Sequence, residues 1–214
     1  MHKLNILLIV IIIILVILMI AVIRFNANKL KLMTISNKLW LDHVSFTREF
    51  ILTTFAGNDN ARNAAVAALT VNQKDLGHFI GSYLNKDAIE ILTGLLTEHI
   101  AIASDIVFIL ATPGPINDQE LKKKQGDWIK NGNEIADNLH SMFGTGDFHT
   151  CMMQHLSETT NEVMSIKNGD YTSSIKIYYA IEKTILEMSE KIVNAIIHVK
   201  RIPMIFWTSL PCCQ

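Results

Sequence analysis

The sequence predicts an all-α protein, an up-and-down helical bundle built from a duplicated helical hairpin and preceded by a transmembrane helix. Three observations lead there. Residues 4–23, "LNILLIVIIIILVILMIAVI", contain no charged side chain, and at about 1.5 Å per residue such a helix covers the roughly 30 Å of a bilayer's hydrocarbon core. All four prolines fall at positions 113, 115, 203 and 211, which leaves two long stretches free of helix breakers, and strand-like alternation bounded by turn signals is absent. Between the apolar helical stripes lie only short polar breaks, and short loops make successive helices antiparallel.

Taken in order, residues 4–23 are the membrane anchor. A cleaved signal peptide has an apolar core of about 7 to 15 residues ending at a small-residue site, whereas this run is longer and continues into "RFNANKLKLM". Residues 24–35 are read as a juxtamembrane linker, 36–200 as the helical-bundle domain and 201–214 as an apolar C-terminal tail. Lys3 flanks the anchor on one side and Arg24, Lys29, Lys31 and Lys38 on the other, so the excess of positive charge places the protein in a membrane, single-pass, with its body cytoplasmic. The absence of any N-x-[ST] sequon and of a disulfide framework agrees. Cys151 stands alone, and the adjacent Cys212 and Cys213 read as ordinary thiols, or as acylation sites if the tail lies on a membrane.

Within the body, helices are expected near 36–56, 60–84, 87–111, 117–143, 147–167 and 170–200. The breaks are "AGNDN", "NKD", "TPGPIND", "GTGD" and "KNGD", each supplying Gly to end a helix or Asn and Asp to cap the next. "NQKDLGHFIGSYL" from Asn72 aligns without gaps on "NGNEIADNLHSMF" from Asn131, and each segment leads through a turn into a helix bearing a histidine, His99 or His155. This suggests the duplicated hairpin.

The informative residues are polar ones on apolar stripes. His99 falls in the stripe of Leu92, Leu95, Leu96, Ala103 and Ile106, and His155 in that of Phe148, Met152 and Thr159. Asn72, Asn131 and His43 sit in equivalent settings. Left unpaired, each would cost on the order of 1 to 3 kcal/mol, so each needs a partner, a water or a ligand.

The blocks "LWLDHVSFTREF", "NQKDL", "LLTEHIAIASDIV", "WIKNGNEIADNL", "MMQHLSETTNEV" and "NGDYTSSIKIYYAIE" resemble, in this order, a mostly bacterial family of small all-helical proteins of unassigned function. The resemblance spans roughly residues 39 to 190 and singles out Trp40, His43, Thr47, Arg48, Asn72, Asp75, His99, Trp128, Glu134, His155, Thr159, Glu162, Asp170, Tyr171 and Tyr178. Some members bear the label acetylglutamate kinase. That chemistry belongs to an α/β fold with Gly-rich phosphate loops, and this chain offers neither. The anchor, the tail and Tyr179, where the family usually has an acidic residue, are departures.

Composition narrows the function. The formal net charge is -1, and the densest basic run, Lys122 to Lys124, sits beside Glu120 and Asp127 without interleaved aromatics, so nucleic acid is not an expected partner. The expected partner is the bilayer, through residues 4–23, with any small-molecule or protein partner unidentified.

Three accounts of the inward polar groups stay open. They form a structural hydrogen-bond network; or they line a pocket, with His43, Arg48, Asn72, Asp75, Asn131, Glu134 and Tyr171 as ligand-binding candidates and His43, His99, His155 and Glu162 as candidates for a divalent metal ion; or they catalyse, for which no nucleophile elbow, zinc motif or phosphate loop is found. The functional expectation is a membrane-anchored binding or structural module, not an enzyme. The alternative is a scaffold or envelope membrane protein, for instance of a large DNA virus. Arg48, one turn from His43, is read either as an anion-binding group or as an ion-pair partner of Glu49, Asp42 or Asp75.

Overall fold

The structure is a computed structural model that describes residues 2–200. It has six α-helices: α1 (His2–Phe55), α2 (Asp59–Gly81), α3 (Lys86–Ala111), α4 (Asp118–Phe143), α5 (Phe148–Lys167) and α6 (Tyr171–Lys200), with no strand among the described residues. The tail 201–214, with Cys212 and Cys213, lies outside them.

The breaks expected from the sequence are the helix caps. Asn58, Asn85, Asn117 and Asp147 each accept a hydrogen bond from the backbone N–H three residues on, and Asp170 does the same for Ser173. Each cap satisfies a donor that the first helical turn leaves unpaired. Helix α4 stops at Gly144, whose φ of 64° lets its N–H close on His140 O at 2.7 Å.

The first boundary differs from expectation. Residues 24–35 are not a linker: α1 is one helix of 54 residues, about 80 Å long. The stretch "RFNANKLKLM" holds asparagines and charges but no proline or glycine, so nothing in it stops a helix. Leu32 is fully buried, and the packed core therefore begins there and not at residue 36. The apolar residues from Ile6 to Ile20 are about half exposed, and this helix is long and apolar enough to span a membrane. Helix α3 also passes the length and hydropathy test, but Leu92, Leu96, Ile106, Val107 and Leu110 turn its apolar face into the core.

Each helix packs on its sequence neighbours, and α6 closes the ring by returning along α1. Helices α1, α3 and α5 also touch one another, so these three line the centre. In the α2–α3 hairpin the two backbones come close. A Cβ on Gly81 would come within 2.5 Å of the backbone of Ile89, and one on Gly77 within 2.9 Å of the backbone of Thr93. The spacing Gly77-x-x-x-Gly81 thus lets two helix backbones meet along one face.

Two contacts set the register of α6 on α1. The Ser189 hydroxyl donates to Ser36 Oγ and lies 2.7 Å from both Ser36 Oγ and Asn37 Oδ1, while Arg48 reaches Ser174. Running antiparallel from these points, α6 ends level with the first residues after the apolar run.

Candidate functional site

His43, His99 and His155 are equally spaced along the chain, and each lies on one of the three inner helices. All three are buried. They converge: the rings of His43 and His155 are 5.9 Å apart between centroids, and those of His99 and His155 are 6.3 Å apart and stacked.

The protonation of His99 follows from its neighbours. Asn131 Nδ2 donates to Leu95 O and Glu98 Oε2, each at 3.2 Å, which fixes the amide and leaves Oδ1 as an acceptor facing His99 Nδ1 at 2.9 Å. Trp128 Nε1, able only to donate, lies 3.2 Å from His99 Nε2. His99 is therefore neutral with its proton on Nδ1. On the other side, Asn72 Nδ2 donates to Leu39 O at 2.9 Å. Gln73 Nε2 donates to Asn72 Oδ1 and to His43 Nδ1, at 3.3 and 3.0 Å. His43 is thus the opposite tautomer, protonated on Nε2. His155 Nδ1 faces the Thr159 hydroxyl at 3.5 Å.

Burial dominates the electrostatics. Loss of water pushes His43 down to about 3 and His99 to about 4, with His99 adding to the shift of His43 and each histidine's amide neighbour opposing it. His155 is driven well below the ordinary histidine value by burial and then by the other two rings. Among the described residues no carboxylate forms an ion pair with these three rings, so neutral imidazole is the form the core holds.

The two asparagines make equivalent contacts. Each bonds the carbonyl of a residue one turn before a histidine on the preceding helix, Leu39 before His43 and Leu95 before His99.

One turn along α1 from His43, Arg48 enters a second polar cluster. It forms an ion pair with Glu162, lies 3.2 Å from Ser174 Oγ, and stacks its guanidinium 5.0 Å from the centre of the Tyr178 ring. Burial pushes Glu162 up to about 7, while Arg48 pulls in the other direction. The partners expected for Arg48 are placed elsewhere: Asp42 bonds Lys38, and Glu49 and Asp75 face outward.

Several expected site residues are not brought together. Asp75 is exposed, Glu134 pairs on the surface with Lys130 at 3.5 Å, and Tyr171 is 56% exposed. None of these three reaches the histidines, because each lies on the outer side of its helix. The metal-ligand set is also differently used: both ring nitrogens of His99 are engaged and Glu162 is held by Arg48. Among the described residues, no group of three or more His, Cys, Asp or Glu side chains is arranged to hold a metal ion. These side chains form a hydrogen-bonded network, not an open coordination shell. Gln73, which the sequence reading passed over, is 1% exposed and joins the two polar residues His43 and Asn72.

Beside the network lies a narrow cavity of about 30 Å³, bounded by Thr47, Phe50, Leu69, Ile106, Trp128 and Thr159 among others. Thr47 donates its hydroxyl to His43 O, so its lining presents little free hydrogen-bonding capacity.

Comparison with family models, with curated proteins and with solved structures finds no match for the chain.

Proposed function

We propose that this chain is a single-pass membrane protein whose cytoplasmic bundle is a rigid binding or structural module, not a catalyst. The observation that carries this reading is the continuity of α1, which joins the apolar run to the bundle core in one unbroken helix. A body attached in this way keeps a set distance and orientation from the bilayer, as a scaffold needs, whereas a flexible linker would leave both free. The inward polar groups fit a structural role because most of their hydrogen bonds run to one another or to helix carbonyls, with Gln73 Oε1 and Trp40 Nε1 left unpaired beside them, and such bonds fix which helix faces meet.

Two measurements test the proposal. A cysteine introduced at Asn58, at the end of the bundle away from the span, is protected from membrane-impermeant reagent in intact cells; labelling from outside reverses the topology. Native mass spectrometry and metal analysis of the full chain in mild detergent give the polypeptide without a stoichiometric ligand.

A second reading, a pocket for a very small apolar molecule, is favoured by the cavity against Trp128 and Thr159. Its volume matches roughly one water molecule. A bound molecule of a few atoms, or a stoichiometric metal, in the same measurement favours that pocket over the purely structural reading.

A further inference from the structure

The positive charges at the bundle's membrane-facing end lie in a stretch of chain without acids. Across the body, several cations pair with carboxylates, among them Lys38 with Asp42, Arg48 with Glu162, Lys123 with Asp127, Lys124 with Asp105 and Lys130 with Glu134, while Lys74, Lys86, Lys122 and Lys176 form no ion pair among the described residues and stand on the outside of the bundle. Arg24, Lys29 and Lys31 have no acidic partner among the described residues. The sequence has no acidic residue at all before Asp42, and none after Glu190. Since α6 returns along α1 in the register set by Ser36 and Ser189, the acid-free end of α6, with His198 exposed, arrives beside the same stretch of α1.

Distance from the apolar run selects the counter-ion. Counted at about 1.5 Å per residue from residue 23, Arg24 lies at the boundary, Lys29 about 9 Å beyond it and Lys31 about 12 Å beyond. A leaflet's headgroup layer is on the order of 5 to 8 Å deep. Helical side chains lean toward the helix N-terminus, which on α1 is the membrane side, so Lys29 and Lys31 reach back into that layer. Two of the nearby acids, Asp147 and Glu190, stand farther off. Lys191 Nζ bonds Asp147 O, which sets Asp147 level with about residue 34 of α1, and Glu190 is one residue from Lys191. Asp87 opens α3 next to the α2–α3 turn, level with about residue 30 by the bond between Asn72 and Leu39; it shares the height of Lys29 and Lys31 but is exposed and forms no ion pair with either among the described residues.

We propose that Arg24, Lys29 and Lys31 bind the phosphate and carboxylate groups of anionic lipids, of the phosphatidylserine type, in the leaflet facing the bundle. The inference rests on the reading of residues 4–23 as a membrane span. Lipid contact there neutralises the unpaired cations and clamps the base of α1, which steadies the body against tilting on its single helix.

The test uses the full chain in phosphatidylcholine vesicles containing a trace of spin-labelled phosphatidylserine or spin-labelled phosphatidylcholine, with the motionally restricted fraction read by electron paramagnetic resonance. Phosphatidylserine is expected to be favoured at the protein perimeter by about three- to fivefold at low salt. The ratio falls to near one in about 1 M salt, where the Debye length is roughly 3 Å, and in the variant Arg24→Gln/Lys29→Gln/Lys31→Gln. These side chains are outside the core, so circular dichroism of the variant matches the parent, and the variant Lys122→Gln/Lys123→Gln at the far end keeps the preference. Equal association of the two lipids with the parent, or an undiminished preference in the triple variant, overturns the proposal. Alkaline carbonate extraction of the parent from the vesicles overturns the span itself, and so separates that failure from a failure of lipid selection.

Discussion

Trp128 donates its indole N–H to Nε2 of His99 across 3.2 Å, and this one contact dictates the charge and tautomer of the ring. A protonated His99 would turn N–H against N–H, so the bond exists only while the imidazole is neutral. Replacing Trp128 by Phe leaves Nε2 buried without a donor and is expected to cost about 1 to 3 kcal/mol. His99→Leu strands the indole N–H and Asn131 Oδ1 at a similar cost. The double variant costs less than the sum, because the second change removes a group already unpaired. Urea denaturation of the four proteins in one detergent checks this, and strict additivity means the contact contributes nothing.

Acid should destabilise the bundle early. A histidine held below its ordinary value binds its proton only after unfolding, so its contribution is fully present above about pH 6.5 and is lost as pH falls toward the folded value, about 4 for His99 and about 3 for His43. His155 acts in the same direction. Each contributes a slope of about 1.4 kcal/mol per pH unit. Glu162, raised to about 7, works in the opposite sense: it takes up a proton in the folded state first and returns about one such slope between pH 7 and 4.5. The net expectation is a loss of roughly 3 kcal/mol per unit between pH 6.5 and 4.5, read from urea midpoints against pH. Glu162→Gln steepens that slope by about one proton.

The Arg48–Glu162 pair joins α1 to α5 at a nearly buried site, with side-chain exposures of 17% and 2%. Arg48→Met leaves Glu162 without its counter-ion and is expected to cost about 3 kcal/mol, while Arg48→Met/Glu162→Leu recovers most of the loss. Thermal melting of the single and double variants separates these outcomes.

Two glycines in neighbouring helices should respond in opposite ways. Gly81→Ala drives a methyl into the Ile89 backbone and forces α2 from α3, lowering stability by more than about 2 kcal/mol. Gly94 lies on the exposed side of α3, where an added Cβ would meet nothing within 4 Å, so Gly94→Ala gains up to about 1 kcal/mol from helix propensity. Chemical denaturation of both variants is the check.

The helices were legible because their ends are written in local chemistry: Asn58, Asn85, Asn117 and Asp147 cap the helices that the sequence predicts to begin there. The inward setting of His43, Asn72, His99, Asn131 and His155 was legible for the same reason, since period 3.6 alone sets a face. The partners were not. Arg48 finds Glu162 across more than a hundred residues, and no local pattern encodes that pairing. Gln73 was passed over because it adjoins Asn72, and neighbouring residues on a helix point about 100° apart; only the closeness of α1 makes both inward. Residues 24–35 misled because polarity resembles a linker, whereas a helix stops only where backbone or capping chemistry stops it. The close α2–α3 crossing was present in the sequence as Gly77-x-x-x-Gly81, a signal that gains meaning once those two helices are known to meet.

Three imidazoles sit together, neutral, in the middle of the bundle as parts of a hydrogen-bonded network. Imidazole ¹⁵N resonances of the full chain in nanodiscs at pH 6 test it most directly. The prediction is three neutral rings that do not titrate between pH 7 and 5 while the fold persists, with His99 carrying its proton on Nδ1 and His43 on Nε2. An ordinary titration near pH 6.5 for His99 or His155, or resonances showing a ring bound through nitrogen to a metal, would contradict the network.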